Sequence, residues 1–206
     1  ALGRYLAGRG ETVAADLSLR AAVPVNLRPL KDAHQLGNYF GLVLLDLPVG
    51  EVNPLARLYR LRDTMAGLKN STQPVVTFAL LGLLGMVPAA LQLPTLNYLS
   101  RKATAVMTNV PGPGEALYLA GGRLGEMMFW VPQAGEVTLG MSILSYNGRV
   151  HFGLTVDEQA VPEPAVLLAR FAEEFEQLAL IALLGTGRHP PEAADFARRF
   201  GLTDST

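Results

Sequence analysis

Thr108-Asn109-Val110-Pro111-Gly112-Pro113 is the stretch on which the fold of this 206-residue chain turns. Ala103 to Thr108 has strand character. Pro111-Gly112-Pro113-Gly114 cannot be a regular element and must form an ordered turn or loop. Thr108 and Asn109 therefore stand at the end of a strand, where a loop can present a hydroxyl and an amide.

Downstream, Leu117 to Leu119 and Arg123 to Val131 read as short strands. Ser145-Tyr146-Asn147-Gly148 then closes a hairpin, because Asn147 and Gly148 tolerate the positive φ of a type I′ turn. That turn predicts the pairs Ser145–Val150, Ile143–Phe152, Met141–Leu154 and Leu139–Val156. The opposite face carries Gly140, Ser142, Gly153 and Thr155, with Leu144 beside His151. Side chains this small leave volume above the sheet, to be filled by a closely packed element or by a ligand channel.

Upstream, Arg20 to Arg28 reads as a strand with Val23, Val25 and Leu27 on one face, and Pro24 suggests an edge or a bulge. Gly37 to Leu47 is nearly all apolar, which predicts a strand buried on both faces. Asn53-Pro54 is a helix start, followed by Leu55, Leu58, Leu61, Met65 and Leu68 at helical spacing. Arg57, Arg60, Arg62 and Lys69 read as its solvated basic face; contact with the phosphates of a ligand or of anionic lipid is the sharper alternative. Residues 1–9 read as the end of a helix stopped at Gly10. Val161 to Leu184 reads as a helix that stops at Gly185, with its apolar last turns buried. These elements predict an α/β chain of α+β type, a mixed sheet covered by helices, over residues 1–185. Residues 186–206 form a polar tail with a possible short helix at 191–200.

Half of the residues are hydrophobic and 17% are charged, which suggests a chain that also buries surface against something else. A net charge of −1 gives no case for nucleic acid. The absence of cysteine excludes disulfides, thiol catalysis and cysteine metal sites. The first residues lack the apolar core of a signal peptide, and a start in mid-element is what an excised or processed chain would show. No charge occurs between Asn70 and Ser100, and the run 75–99 is long enough to span a bilayer. Pro88 and Pro94 are expected to cut it into pieces of roughly 13 and 6 residues, each too short alone. Buried helices, or a surface that touches lipid or a partner domain, are the expected outcomes.

His34, His151 and His189 are isolated and form no metal-ligand spacing. Each reads as structural or solvated, although His151 shares the small-residue face and could line a channel. There is no Gly-x-Ser-x-Gly, Walker A or strand-borne Gly-x-Gly-x-x-Gly, and no carboxylate pair stands out.

The ordered landmarks over residues 1–184 resemble the C-terminal half of the bacterial wax ester synthase/diacylglycerol acyltransferase family. Thr108-Asn-Val-Pro-Gly-Pro113 is similar to its Ser/Thr-Asn-Val-Pro-Gly-Pro signature, the most specific match. Val23-Pro-Val-Asn-Leu-Arg28 is similar to its Val-Pro-x-Ser-x-Arg strand, and Gly37-Asn38 to the Gly-Asn that follows. Ala1-Leu-Gly-Arg-Tyr-Leu6, Asn53-Pro54 with Arg57-Leu58 and Lys69, Ser145-Tyr-Asn-Gly148 and Asp157 complete the order.

The resemblance implies one half of a chloramphenicol-acetyltransferase-like fold, in which two similar halves face each other across a tunnel. The other half carries His-His-x-x-x-Asp-Gly, whose second histidine deprotonates a long-chain alcohol or diacylglycerol for attack on acyl-CoA. That motif is not in this sequence. The chain alone is therefore expected to be inactive, with no bound cofactor and with acyl-CoA as co-substrate. The resemblance points to Thr108, Asn109, Pro111, Gly112, Ser142 and His151 as oxyanion or tunnel-lining candidates, and to Asn26, Arg28 and Asn38 as substrate- or CoA-proximal. Thr108 and Asn109 would donate to the oxyanion; alternatively Asn109 only ties the loop to neighbouring backbone.

Many members have Asn-Asp after the arginine of the strand motif, whereas Pro29-Leu30 stand here. Expected partners are the catalytic half, acyl-CoA, the acceptor lipid and, through 75–99, a membrane or lipid droplet; self-association is also expected. The expected location is cytoplasmic, peripheral to membranes or droplets. Two rival readings are another acyltransferase or condensation domain of the same fold, and a non-catalytic lipid-binding module.

Overall fold

The computed structural model describes residues 1–29, 32, 37–133 and 135–184. Its elements are α1 (Leu2–Gly8), β1 (Ser18–Asn26), β2 (Phe40–Pro48), α2 (Pro54–Lys69), α3 (Gln73–Leu84) and α4 (Ala89–Ser100). They continue with β3 (Ala105–Pro111), β4 (Tyr118–Leu119), β5 (Gly122–Arg123), β6 (Leu139–Tyr146), β7 (Arg149–Val156) and α5 (Pro164–Leu184). Five strands form one mixed sheet in the order β2-β1-β3-β6-β7, and β4 and β5 form a separate hairpin. The central strands β1, β3 and β6 are parallel; the outer β2 and β7 are antiparallel to their neighbours.

The β6–β7 hairpin has the predicted register, Leu144 opposite His151 included, with Asn147 and Gly148 at φ 48° and 74°. Residues alternate between the sheet's faces. One face carries Ala21, Val23, Val43, Leu45, Ala105, Met107, Leu139, Met141, Leu154 and Val156, and the helices cover it. Tyr5 of α1, Val161 and Leu167 of α5 pack on Ala21, Ala105 and Leu139. Leu61, Met65 and Leu68 of α2 pack on Val23, Val43 and Leu45. Full burial of a side chain such as Leu167 contributes about 1.5–3 kcal/mol. Phe152 stacks on Phe171 of α5 at 3.6 Å between centroids.

Ions tie three of these helices together. Glu174 of α5 accepts from Arg57 of α2 and from Arg4 of α1, and Arg57 also donates to the Glu51 carbonyl. Burial alone would raise the Glu174 pKa. The Ala1 ammonium, Arg57 and the hydrogen bonds from Arg4 and Arg57 outweigh it and hold the carboxyl below its ordinary value. Arg57 is thus committed to an ion pair, not part of the solvated basic face expected for α2.

Several expectations change. β1 is interior, not an edge, yet Pro24 marks where its pairing with β3 stops. Arg20 uses its carbonyl toward the β3 side, accepting from Thr104 N–H, so Pro24 two pairs on lacks its N–H on that side. The β1–β3 pairing covers Ala21–Ala105 and Ala22–Val106, whereas β1 stays paired with β2 to Asn26. β2 is not buried on both faces: it is the outer strand and its burial alternates. Its open edge is shielded by Thr77 of α3, whose hydroxyl accepts from the Leu42 N–H and lies 2.8 Å from the Leu42 carbonyl oxygen.

Pro88 does separate α3 from α4, but Pro94 lies inside α4. The carbonyl it leaves unpaired belongs to exposed Ala90, where water can serve it. Leu55 and Leu58 of α2 are exposed. So are Leu180, Leu183 and Leu184 at the end of α5, which was expected to be buried. An apolar sequence shows that a helix seeks cover, not that its own chain supplies it. Residues 124–131 are not a strand but an irregular segment without ladder pairing. Gly185 and the tail 186–206, with its expected helix at 191–200, lie outside the described residues, as do His34 and His189.

Candidate functional site at the carboxyl ends of the central strands

The three parallel strands all point their carboxyl ends in one direction, and the candidate residues collect there. Asn26 ends β1; Arg28 follows, and Gly37–Asn38 lead into β2. Thr108, Asn109 and Pro111 end β3 beside Ser142–Ser145 of β6. Beyond Ala22 and Val106, β1 and β3 no longer pair, so their ends form the two lips of an opening.

Each lip is fixed by polar contacts. On the β1 side the Asn26 carboxamide oxygen accepts from the Arg28 N–H at 3.0 Å, and Arg28 Nη2 donates to the Gly37 carbonyl at 2.7 Å. Leu27 N–H donates to the Tyr39 carbonyl, which brings exposed Asn38 to the same place. On the β3 side the strand runs on to Pro111, three residues further than expected, in parallel register with Ser145. Gly112 N–H donates to Ser145 Oγ at 3.3 Å, and Asn147 N–H donates to the Pro113 carbonyl at 2.9 Å. A side chain at Gly112 would collide with the Ser145 carbonyl, so glycine is what lets the loop lie against β6.

Tyr146 is almost wholly buried and works in the same way. Its hydroxyl accepts from Leu117 N–H and donates to the Leu124 carbonyl, both at 2.9 Å, and so anchors both ends of the β4–β5 hairpin. Ser145 and Tyr146 were read only as part of a hairpin motif. Their signal was there: two hydroxyls at the end of an apolar strand, directly opposite the proline-glycine loop.

Thr108 and Asn109 are neighbours in a strand and so point to opposite faces. Thr108 stands beside Ser142 on the face away from the helices, and Asn109 beside Ile143 on the other. Asn109 is exposed, and neither side chain hydrogen-bonds to another described residue. Ser142 is buried and donates to the Phe129 carbonyl at 2.6 Å. His151 opposes Leu144 on that same face; its Nε2 is buried with no hydrogen-bond partner among the described residues.

The volume above the small-residue face is occupied by backbone. Phe129 O would lie 3.1 Å from a Cβ on Gly153, and Val131 O 3.2 Å from one on Gly140. Gln133 completes the attachment by donating to the Thr155 carbonyl. Residues 129–133 thus cross β6 and β7 directly. Trp130 on this segment is 62% exposed, with Met128, Val110, Leu117, Tyr118 and Leu119 also open. Among the described residues no group of His, Asp and Glu could hold a metal ion.

The site therefore combines a mixed sheet, helices on one of its faces and a pinned Asn-Val-Pro-Gly-Pro strand end. The chain belongs to the WS/DGAT C-terminal domain family, whose family model matches residues 36–179. It is 31% identical over 204 residues to a protein of Mycobacterium tuberculosis provisionally named a diacylglycerol O-acyltransferase, a match covering 91% of this chain and 38% of that protein. Another M. tuberculosis protein, named a probable diacylglycerol O-acyltransferase, is 28% identical over 178 residues, covering 84% and 38%. In structure the chain is similar to the wax ester synthase/diacylglycerol acyltransferase from Marinobacter aquaeolei VT8, with a TM-score of 0.62 and 25% identity. That match covers 87% of this chain and 40% of the other. The chain thus spans about two fifths of the length of the relatives it matches.

Proposed function

We propose that this chain is the C-terminal half of an O-acyltransferase that moves a fatty acyl group from acyl-CoA to diacylglycerol or a long-chain alcohol. The observation that carries this reading is the end of β3, pinned to the β6–β7 hairpin on the lip of the β1–β3 opening, in a chain of this family. The complementary half supplies the base, since His-His-x-x-x-Asp-Gly is not in this sequence. It docks at the carboxyl ends of β1 and β3, where Asn109 and Val110 are both exposed, so that the opening becomes part of a tunnel between halves. Asn26, Arg28 and Asn38 line its other lip, near the CoA or acceptor.

The reaction needs a proton taken from the alcohol, a new bond from its oxygen to the acyl carbon, and departure of the CoA thiolate. Between these events an oxyanion forms, which preorganised donors stabilise in a water-poor site. Because Thr108 and Asn109 face opposite ways, only one can be the donor to a given carbonyl. The exposed amide of Asn109, without a partner among the described residues, is that donor; Thr108 and His151 shape the wall, and Ser142, covered by the Phe129 carbonyl, supports it from behind. In an enzyme that contains this chain and its catalytic half, Asn109→Ala should lower turnover on the order of 10²-fold. Unchanged turnover would leave Asn109 a purely structural part of the loop. The chain by itself should consume no acyl-CoA. A lipid-facing surface formed by 75–99 belongs to the same reading. No helix among the described residues is long and apolar enough to cross a membrane.

A further inference from the structure

The sheet has two outer strands, and their edges are treated differently. β2 is shielded along its edge by Thr77 of α3. β7 pairs with β6 alone, and no described strand lies along its other side. The two-residue turn makes Tyr146 and Arg149 a hydrogen-bonded pair. Leu144–His151, Ser142–Gly153 and Gly140–Thr155 are then hydrogen-bonded pairs as well. The N–H and C=O groups of Val150, Phe152, Leu154 and Val156 therefore point outward, and none has a backbone partner among the described residues. Arg149-Val-His-Phe-Gly-Leu-Thr-Val156 also lacks the proline, lysine or bulge that protects such an edge.

α5 overhangs the same edge. Glu174 faces α1 and α2, while Phe171 stacks on Phe152 of β7. Phe175 lies about 100° round the helix from Glu174, beyond Phe171 and 6.5 Å from its ring. With Leu168, two turns earlier, it makes an apolar stripe on the β7 side; the two are 51% and 44% exposed.

The strand is complementary to itself. An antiparallel copy centred on Gly153 sets Val150 opposite Val156 and Phe152 opposite Leu154, so that outward groups meet outward groups as a ladder requires. It sets Arg149 opposite Asp157 at both ends; both are exposed, and neither forms an ion pair with a described residue. It also sets His151 opposite Thr155. His151 Nε2 and Thr155 Oγ1 are buried polar atoms without a hydrogen-bond partner among the described residues.

We infer that two copies of this chain join edge to edge through β7, antiparallel about Gly153, into one continuous sheet with the two α5 helices packed over the seam. The twofold axis runs through the sheet, so the helix-covered faces stay on one side. A contact between identical surfaces closes on itself at two copies, which fits the palindromic placement of charge. The β7 edge lies two strands beyond β3, so the opening between β1 and β3 stays free for the complementary half. This inference goes beyond acyl transfer and does not depend on the role of Asn109. Its test reads mass, whereas the test of Asn109 reads turnover.

The experiment is sedimentation equilibrium of the 206-residue chain over a concentration series, and a monomer–dimer equilibrium is expected. Val150→Pro keeps every bond to β6, because the Val150 N–H points outward, and should weaken dimerisation at least about 10-fold. Leu168→Gln with Phe175→Gln should weaken it at least about 10-fold, and Arg149→Glu about 5-fold. Leu83→Gln, on α3, should leave it unchanged. These five side chains are exposed, and circular dichroism would show that the variants fold. Cross-linking reads the register, since the chain has no cysteine of its own. His151→Cys together with Thr155→Cys should give a covalent dimer on mild oxidation. Facing residues of a non-hydrogen-bonded pair stand about 4.5 Å apart at Cα, within disulfide reach. Either substitution alone should not, because identical positions are then out of register. A chain that stays monomeric at every concentration would overturn the inference. So would a dimer that Leu83→Gln abolishes and the β7 and α5 variants leave intact, or a double-cysteine variant that forms no covalent dimer.

Discussion

The two faces of the sheet are covered by different means. On one, α1, α2 and α5 bring large side chains onto Ala21, Val43, Leu45, Ala105 and Leu139, and an ion cluster around Glu174 joins the helices across their tops. On the other, an irregular segment crosses Gly140, Ser142 and Gly153 so closely that its carbonyls fill the space a side chain would take. Among the described residues three side-chain hydrogen bonds hold that segment, Ser142 to Phe129, Tyr146 to Leu124 and Gln133 to Thr155, together with buried Val131. The first face is closed by burial of apolar area. The second is closed by hydrogen bonds and by little apolar area, chiefly Val131 and Leu144, and still exposes Trp130 and Met128.

The sharpest way to break this contrast is to add one carbon to each face. At Gly41 a Cβ would overlap the backbone of Pro74. Gly41→Ala should therefore cost about 3 kcal/mol or more, as a large shift in denaturant midpoint with α3 displaced. At Gly153 the added carbon meets Ser142 Oγ, a side chain that can turn, besides the Phe129 carbonyl. Gly153→Ala should cost less and should act first on the segment, read from the fluorescence of the single tryptophan. Equal effects at the two glycines would mean that the segment is as firmly built as the helices.

Glu174 tests the helical face by charge. Glu174→Gln leaves Arg57 partly buried without its anion, and a loss of about 1–3 kcal/mol is expected at neutral pH. The pH dependence follows from the lowered carboxyl pKa. The folded state holds the ionised form more tightly than the unfolded chain does. The stabilisation is complete above the ordinary value of 4.5 and is lost as pH falls through the lower folded value. The variant should therefore show a flatter acid limb in a midpoint-against-pH profile; an unchanged limb would assign acid sensitivity to other carboxylates.

The smallest effect is expected at Ser142. Ser142→Ala removes one buried donor from the Phe129 carbonyl and should cost about 1 kcal/mol. A red shift or increased quenching of Trp130 should accompany it. If stability falls while Trp130 is unmoved, the serine supports the β6–β7 pair rather than the segment.

Much of this was legible beforehand, and the reason differs by element. Asn147-Gly148 set the hairpin register to the residue, because only a few residue types accept two successive positive φ angles. Asn53-Pro54 marked the start of α2, and the Asn53 carboxamide does accept from the N–H groups of Leu55 and Ala56. The landmarks around Thr108–Pro113 located the candidate site. Pro24 by itself signals an edge or a bulge, since a proline says that a donor is missing but not which neighbour needs it. The uses of Ser145 and Tyr146 could not be read either, because their partners lie 22 to 33 residues away along the chain.

The chain's sequence alone determined what depends on neighbouring residues: turn chemistry, helix caps, the alternation that sorts side chains to two faces, and the charge-free run from Asn70 to Ser100. Only the tertiary structure decided what depends on distant parts meeting. It placed Thr108 and Asn109 on opposite faces, committed Arg57 to Glu174, opened β1 from β3 at Pro24, and filled the small-residue face with backbone. Local preference acts over a few bonds, whereas these outcomes are set by packing and hydrogen bonding between segments that the sequence keeps far apart.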